Sequence, residues 1–146
     1  MAIAPDGTMT ADLIYPSTTG NWREVYQAIT ATSISKTYSV CAKAAGKSFI
    51  AISVSSTDSA TTTAWFDLTN GIVGTKGSGV SSSSISSLGN GWYRCNINTS
   101  VAGAYATIVV TDSDNSATAT ASGTNGVYIW GADLRPTNIG NNLPSY

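Results

Sequence analysis

The chain has 146 residues, enough for one domain with a real core, yet only 10% of them are charged, against roughly 25% in ordinary soluble domains. A formal net charge of −1 supplies no electrostatic drive toward nucleic acid or an anionic membrane. The sequence holds no histidine, which excludes His-based triads, His metal sites and His acid–base chemistry.

Ser, Thr and Asn must supply the polar surface, and their short side chains favour strands and turns over helices. Alternating segments recur without a helical period. In chain order they predict strands over Thr8–Tyr15, Glu24–Thr30, Thr37–Ala44, Ser48–Ser55, Ala64–Thr69, Ser82–Leu88, Trp92–Thr99, Ala104–Thr111 and Gly126–Leu134. Turn-rich breaks separate them, among them PSTTGN, AAGK, SSTDSATT, NGIVGTKGSG and SDNSATATASGTNG. About nine strands without helices predict an all-β fold, an antiparallel β-sandwich of two sheets. Leu88-Gly89-Asn90-Gly91-Trp92 reads as a tight hairpin, because Asn-Gly tolerates the positive φ that such a turn demands. No apolar run approaches the ~18 residues of a membrane span, and the N-terminus lacks a signal-peptide pattern.

Alternation assigns the faces. Val25, Gln27 and Ile29 share one face of their strand, and Glu24, Tyr26 and Ala28 the other. Tyr38, Val40 and Ala42 read inward, with Ser39, Cys41 and Lys43 outward. Ile50, Ile52 and Val54 point in and Phe49 out; Phe66 and Leu68 point in, Trp65 and Asp67 out. Tyr93, Cys95 and Ile97 go inward, and Trp92, Arg94 and Asn96 outward. Cys41 and Cys95 thus face opposite ways, so two reduced thiols are expected rather than a bond.

Among the eight acidic residues only Asp112 and Asp114 form a near pair. They read as side chains capping a turn; a Ca²⁺ loop and a catalytic carboxyl pair are the alternatives. No nucleophile elbow, phosphate loop or Cys/His pairing appears, so a non-enzyme is expected. The outward aromatics point to binding: Trp65 beside Asp67, with Tyr26, Phe49, Lys43 and Arg94, would offer rings to apolar sugar faces and polar heads to hydroxyls. The plainer alternative is that loops, or the rest of a larger polypeptide, cover these rings. Trp22, in the turn TTGNWRE, reads as a platform at a loop tip, and Trp130 reads as core. Asp67 and Arg94 could instead pair with one another across strands.

The phrases YSVCAKAAG, FDLTNGIVGT, LGNGWYRCNI and GTNGVYIWGADL, in that order, resemble successive strands of carbohydrate-binding-type jelly rolls, found in bacteriophage tail and virion proteins and as ancillary modules of secreted glycoside hydrolases. The resemblance spans about Ala4 to Leu134 and is weak on ligand, since members vary most in loops and exposed sheet face. It implies a non-catalytic domain that binds polysaccharide, outside the cell or on a virion, with no cofactor required. It places Phe66, Leu68, Tyr93 and Trp130 in the core, and Trp65, Lys43, Tyr26 and Arg94 on exposed strand positions. Family members usually carry an extra strand before the APDGTMTADL phrase and often a structural Ca²⁺ between first and last strands. Here Asp6 and Asp133 are the weak candidates for that ion, and a sheet edge is left that could pair with another chain, including a second copy. Residues 1–136 are therefore expected to form the sandwich and 137–146 a linker toward flanking domains of a larger protein. Two rival readings stand beside glycan binding: a structural domain of a virion or appendage, and a polysaccharide-cleaving domain built on Lys43, Arg94 and Tyr26.

Overall fold

Residues 36–55 carry two alternating apolar runs hinged at Gly46, and each run becomes a central strand of a different sheet. The computed structural model describes residues 1–137. In chain order the strands are β1 (Asp12–Ile14), β2 (Gly20–Asn21), β3 (Arg23–Ala28), β4 (Lys36–Ala45), β5 (Phe49–Ser55), β6 (Thr63–Asp67), β7 (Ile72–Lys76), β8 (Val80–Gly89), β9 (Trp92–Thr99), β10 (Tyr105–Thr111), β11 (Thr118–Ala119) and β12 (Gly126–Pro136). One sheet has the order β1-β12-β4-β9-β8, the other β3-β10-β5-β6-β7, and β2 pairs with β11 as a small flap. Neighbouring strands are antiparallel throughout. The fold is an all-β, jelly-roll-like sandwich.

The inward residues of the alternation form the core. Tyr38, Val40, Ala42, Ile50, Ile52, Val54, Phe66, Leu68, Cys95 and Ile97 pack into one cluster between the sheets. A side chain such as Ile50 or Phe66, fully buried, contributes about 1.5–3 kcal/mol relative to exposure. The Asn-Gly hairpin is present: Gly89 pairs with Trp92, and Asn90 and Gly91 both take positive φ, 52° and 79°. Lys36 is buried with its ammonium donating to the carbonyls of Thr32, Ile34 and Val101, which ties the β4 start to two loops.

Several expectations change. Among the described residues twelve strands replace the nine expected: the nine expected segments all contain strands, while β2, β7 and β11 are additional. The β7 run lies within the expected break NGIVGTKGSG, where glycines at 71, 74 and 77 interrupt any alternating pattern. The expected first strand shortens to β1, because residues 2–11 instead fold across the outer face of the first sheet. There Trp92 is buried with Ala4, Ala11 and Cys41, its Nε1 donating to the Ile3 carbonyl at 3.1 Å. Trp130 lies under the same segment, its Nε1 donating to Thr10 Oγ1 at 3.0 Å, and so faces away from the main core. An irregularity between Trp130 and Asp133, at Gly131 with φ 60°, reverses the alternation and sends Leu134 inward. Cys41 and Cys95 are free thiols, one in this outer cluster and one in the core. The expected linker lies outside the described residues except for Thr137, whose N–H donates to the Ser35 carbonyl. Among the described residues, no helix is long and apolar enough to cross a membrane.

Candidate functional site

Register across the second sheet lines up rows of side chains on its outer face. Tyr26, Thr107, Ser53 and Thr63 stand in one row across β3, β10, β5 and β6. Glu24, Val109, Ala51 and Trp65 form the next, and Tyr105 stands opposite Ser55 on the other side. Residues 56–59, between β5 and the 3-10 turn Ala60–Thr62, form a wall, and Trp22 lies at the opposite end. The result is an open groove of about 240 Å³ lined by Trp22, Glu24, Tyr26, Asp58, Tyr105 and Thr107 over a hydroxyl-rich floor.

The rings at its mouth are exposed. Tyr26 is 63% and Tyr105 39% accessible, and they meet edge to face with centroids 5.1 Å apart at 75°. Tyr105 stands two residues from Thr107, the cross-strand partner of Tyr26, so the contact is the diagonal one that antiparallel pairing brings within reach. Trp22 adopts φ 50°, a left-handed conformation costly for a bulky residue. Its N–H donates to the Ala117 carbonyl at 2.9 Å, and its ring packs against the cluster of Ala51, Trp65 and Val109.

The floor hydroxyls spend their protons inside the protein. Ser53 Oγ donates to the Thr62 carbonyl at 3.1 Å, Thr63 Oγ1 to the Ser59 carbonyl at 2.7 Å, and Ser55 Oγ to the Thr57 carbonyl at 2.5 Å. Ser53 and Ser55 keep 4% and 8% of their surface and can meet a ligand as acceptors, whereas Thr63, at 0%, is sealed beneath the floor. Two carboxylates join them: Glu24 is partly buried, and burial followed by the charge of Asp58 raises its pKa above the ordinary value. Among the described residues, neither carboxylate has an ion pair or hydrogen bond within the protein.

The groove gathers only some of the residues expected from the sequence. Trp22 and Tyr26 line it. Trp65 does point outward, but it is 1% accessible, sealed beneath residues 113–119 and Trp22 with its Nε1 donating to the Ser116 carbonyl. It cannot stack on a ligand. Asp67 is 8% accessible and accepts from Thr69 N–H, Asn70 N–H and Asn70 Nδ2, so it caps the turn after β6. Phe49, half-buried, stands opposite Asp67 and Thr111 at the far end of this face. Lys43 and Arg94 belong to the other sheet: Lys43 stands opposite Trp92 and Tyr128, and Arg94 opposite Cys41 and Ser86. The seven expected ligand residues therefore divide between two outer faces of the sandwich, and an Asp67–Arg94 cross-strand pair does not form.

The acidic candidates for metal are each engaged locally. Asp6 accepts from Thr8 N–H and Oγ1, and Asp133 pairs with Arg135. Among the described residues, no three His, Cys, Asp or Glu side chains converge on one point. Asp112 and Asp114 reach away from one another. Asp112 takes bonds from Thr120 and Lys47 Nζ, which tie its loop to two others, and Asp114 from Thr75 N–H and Oγ1, which tie it to β7.

Glu24, Asp58, Tyr105 and Thr107 were missed as site residues. The alternation of Glu24 with Tyr26 already placed that pair on one face. Asp58 and Tyr105, 47 positions apart, meet only through the β10–β5 register. No family model and no curated protein sequence matches the chain.

Proposed function

We propose that this domain binds glycans without altering them, in the groove on the outer face of the β3-β10-β5-β6-β7 sheet. The observation that carries the reading is the convergence of Trp22, Tyr26 and Tyr105 with carboxylates and hydroxyls in one open groove. Sugars present apolar C–H faces rimmed by hydroxyls, and this mixture of rings and acceptors matches both. Its volume lies below the roughly 300–1,000 Å³ of pockets that enclose drug-sized ligands, which suits one sugar unit with the rest of the polymer outside. The resemblance to carbohydrate-binding jelly rolls supports the same reading and adds an extracellular or virion setting, with flanking domains in a larger protein. No cofactor enters the reading, and Asp6 and Asp133 are not part of it.

Affinity electrophoresis over plant, algal and bacterial polysaccharides tests the proposal. Retention by at least one glycan should fall about tenfold in Tyr105→Ala with the fold intact. Retention that survives in both Tyr105→Ala and Tyr26→Ala would place the ligand elsewhere. Reducing-end release from a retained polysaccharide would replace binding with cleavage by Glu24 and Asp58.

A second reading, a structural domain of a virion or appendage, draws on one observation: Ile72 and Val73 are exposed on β7, an outermost strand of its sheet. Light scattering that finds a dimer or trimer broken by Ile72→Lys would favour it.

A further inference from the structure

We infer that the groove recognises a sugar bearing a positively charged amino group, and disfavours uronates. The inference rests on the glycan-binding reading and names the ligand class. Three independent features of the lining agree on it. The charged side chains of the groove are both carboxylates, Glu24 from β3 and Asp58 from the wall, and the other titratable groups facing them are the phenols of Tyr26 and Tyr105. The nearest cation in sequence, Arg23, stands opposite Val110, whose side chain is in the core, and so lies on the other face of β3; its Nη2 donates to the Thr19 carbonyl. The floor hydroxyls of Ser53 and Ser55 have already given their protons to backbone carbonyls, so against the floor the ligand brings the donors. Lastly, Trp22, Tyr26 and Tyr105 line the same groove, and an ammonium is attracted to the negative face of such rings.

An ammonium supplies three donors and a positive charge in one group, and it meets every requirement at once. A neutral hydroxyl supplies one donor and no charge. A uronate carboxylate would face Glu24 and Asp58 with like charge.

The test compares glucosamine oligomers with N-acetylglucosamine oligomers of equal length, a neutral glucan and polygalacturonate, by calorimetry at a pH where the amine is charged. Wild-type protein should hold the glucosamine oligomer at least about fivefold tighter than its acetylated twin, and added salt should erode the difference. Glu24→Gln and Asp58→Asn should each shrink that preference while thermal melts report an intact fold. Equal affinity for the two oligomers, a preference unchanged in both variants, or tighter binding of polygalacturonate overturns the inference and leaves the glycan reading standing. No binding to any of the four sugars, nor to the wider polysaccharide panel, overturns both.

Discussion

The indole Nε1 of Trp65 donates to the carbonyl oxygen of Ser116, 2.8 Å away and 51 residues further along the chain. With Thr111 Oγ1, which donates to the same oxygen at 2.7 Å, that bond fastens the loop between β10 and β11 over the outer face of the second sheet. It turns an outward-pointing ring into a second, smaller core with Ala51, Val109 and Trp22. Trp65→Ala should therefore cost about 3–5 kcal/mol, and Trp65→Phe, which keeps most of the ring and leaves the Ser116 carbonyl its second donor, Thr111 Oγ1 at 2.7 Å, only about 1 kcal/mol. Urea denaturation measures both. Glycan retention by folded Trp65→Phe should match wild type.

Trp22 is held at φ 50°, where any residue that carries a Cβ is strained. Glycine escapes that strain and alanine does not. Trp22→Gly should be more stable than Trp22→Ala by about 1 kcal/mol, even though both lose the ring. The reverse order in chemical denaturation would mean that the backbone relaxes once the indole is gone. Both variants should bind the groove ligand more weakly than wild type.

The edge-to-face contact of Tyr26 and Tyr105 joins two exposed rings, so it adds little to folding and more to shaping the groove. A double-mutant cycle with leucine at each position should give a coupling of about 0.5–1 kcal/mol in stability. Ligand affinity should fall nearly as far in either single variant as in the double. Additive losses in affinity would show that the rings act on separate parts of the ligand.

For Asp67, burial pushes the carboxyl up, but the bonds from the Asn70 side chain and from the Thr69 and Asn70 N–H groups outweigh it, and the net pKa lies below 3.8. A depressed carboxyl stabilises the fold above its unfolded value and loses that contribution as pH falls through the folded one. Wild type should weaken below pH 3.8 more steeply than Asp67→Asn. Parallel melting curves for the two proteins across that window would contradict the assignment of Asp67 as the turn cap.

Glu24 carries the opposite sign. Burial first, and the charge of Asp58 second, raise its pKa above 4.5, so its ionised form opposes folding at neutral pH. That penalty fades as pH drops from above the folded value to below 4.5. Glu24→Gln should melt at a higher temperature than wild type near neutrality, with the gap closing in acid. The same substitution should weaken ammonium binding, so stability and function are expected to move in opposite directions at this position.

The sequence by itself determined the sandwich. Period-two alternation in segments such as 37–44, 48–55 and 92–99 sorts apolar from polar side chains within each strand, and a scarcity of charges with many turn residues leaves no helix to compete. The Asn90-Gly91 turn and the opposed cysteines are equally local and equally legible. Alternation, however, reports only which side of a strand a residue occupies. It is silent on which sheet the strand joins and on what lies over the outer face. Trp65, Trp92 and Trp130 all point away from the main core and are nevertheless covered, because residues 2–11 and 113–119 fold back across two different faces. Lys43 and Arg94 were parted from Tyr26 because β4 and β9 belong to one sheet and β3 to the other. The groove itself depends on cross-strand register, which sets Glu24, Tyr26 and Tyr105 beside a wall built from residues 56–59. Those contacts form between segments far apart in sequence, where no local pattern constrains the partner, and only the tertiary structure decides them.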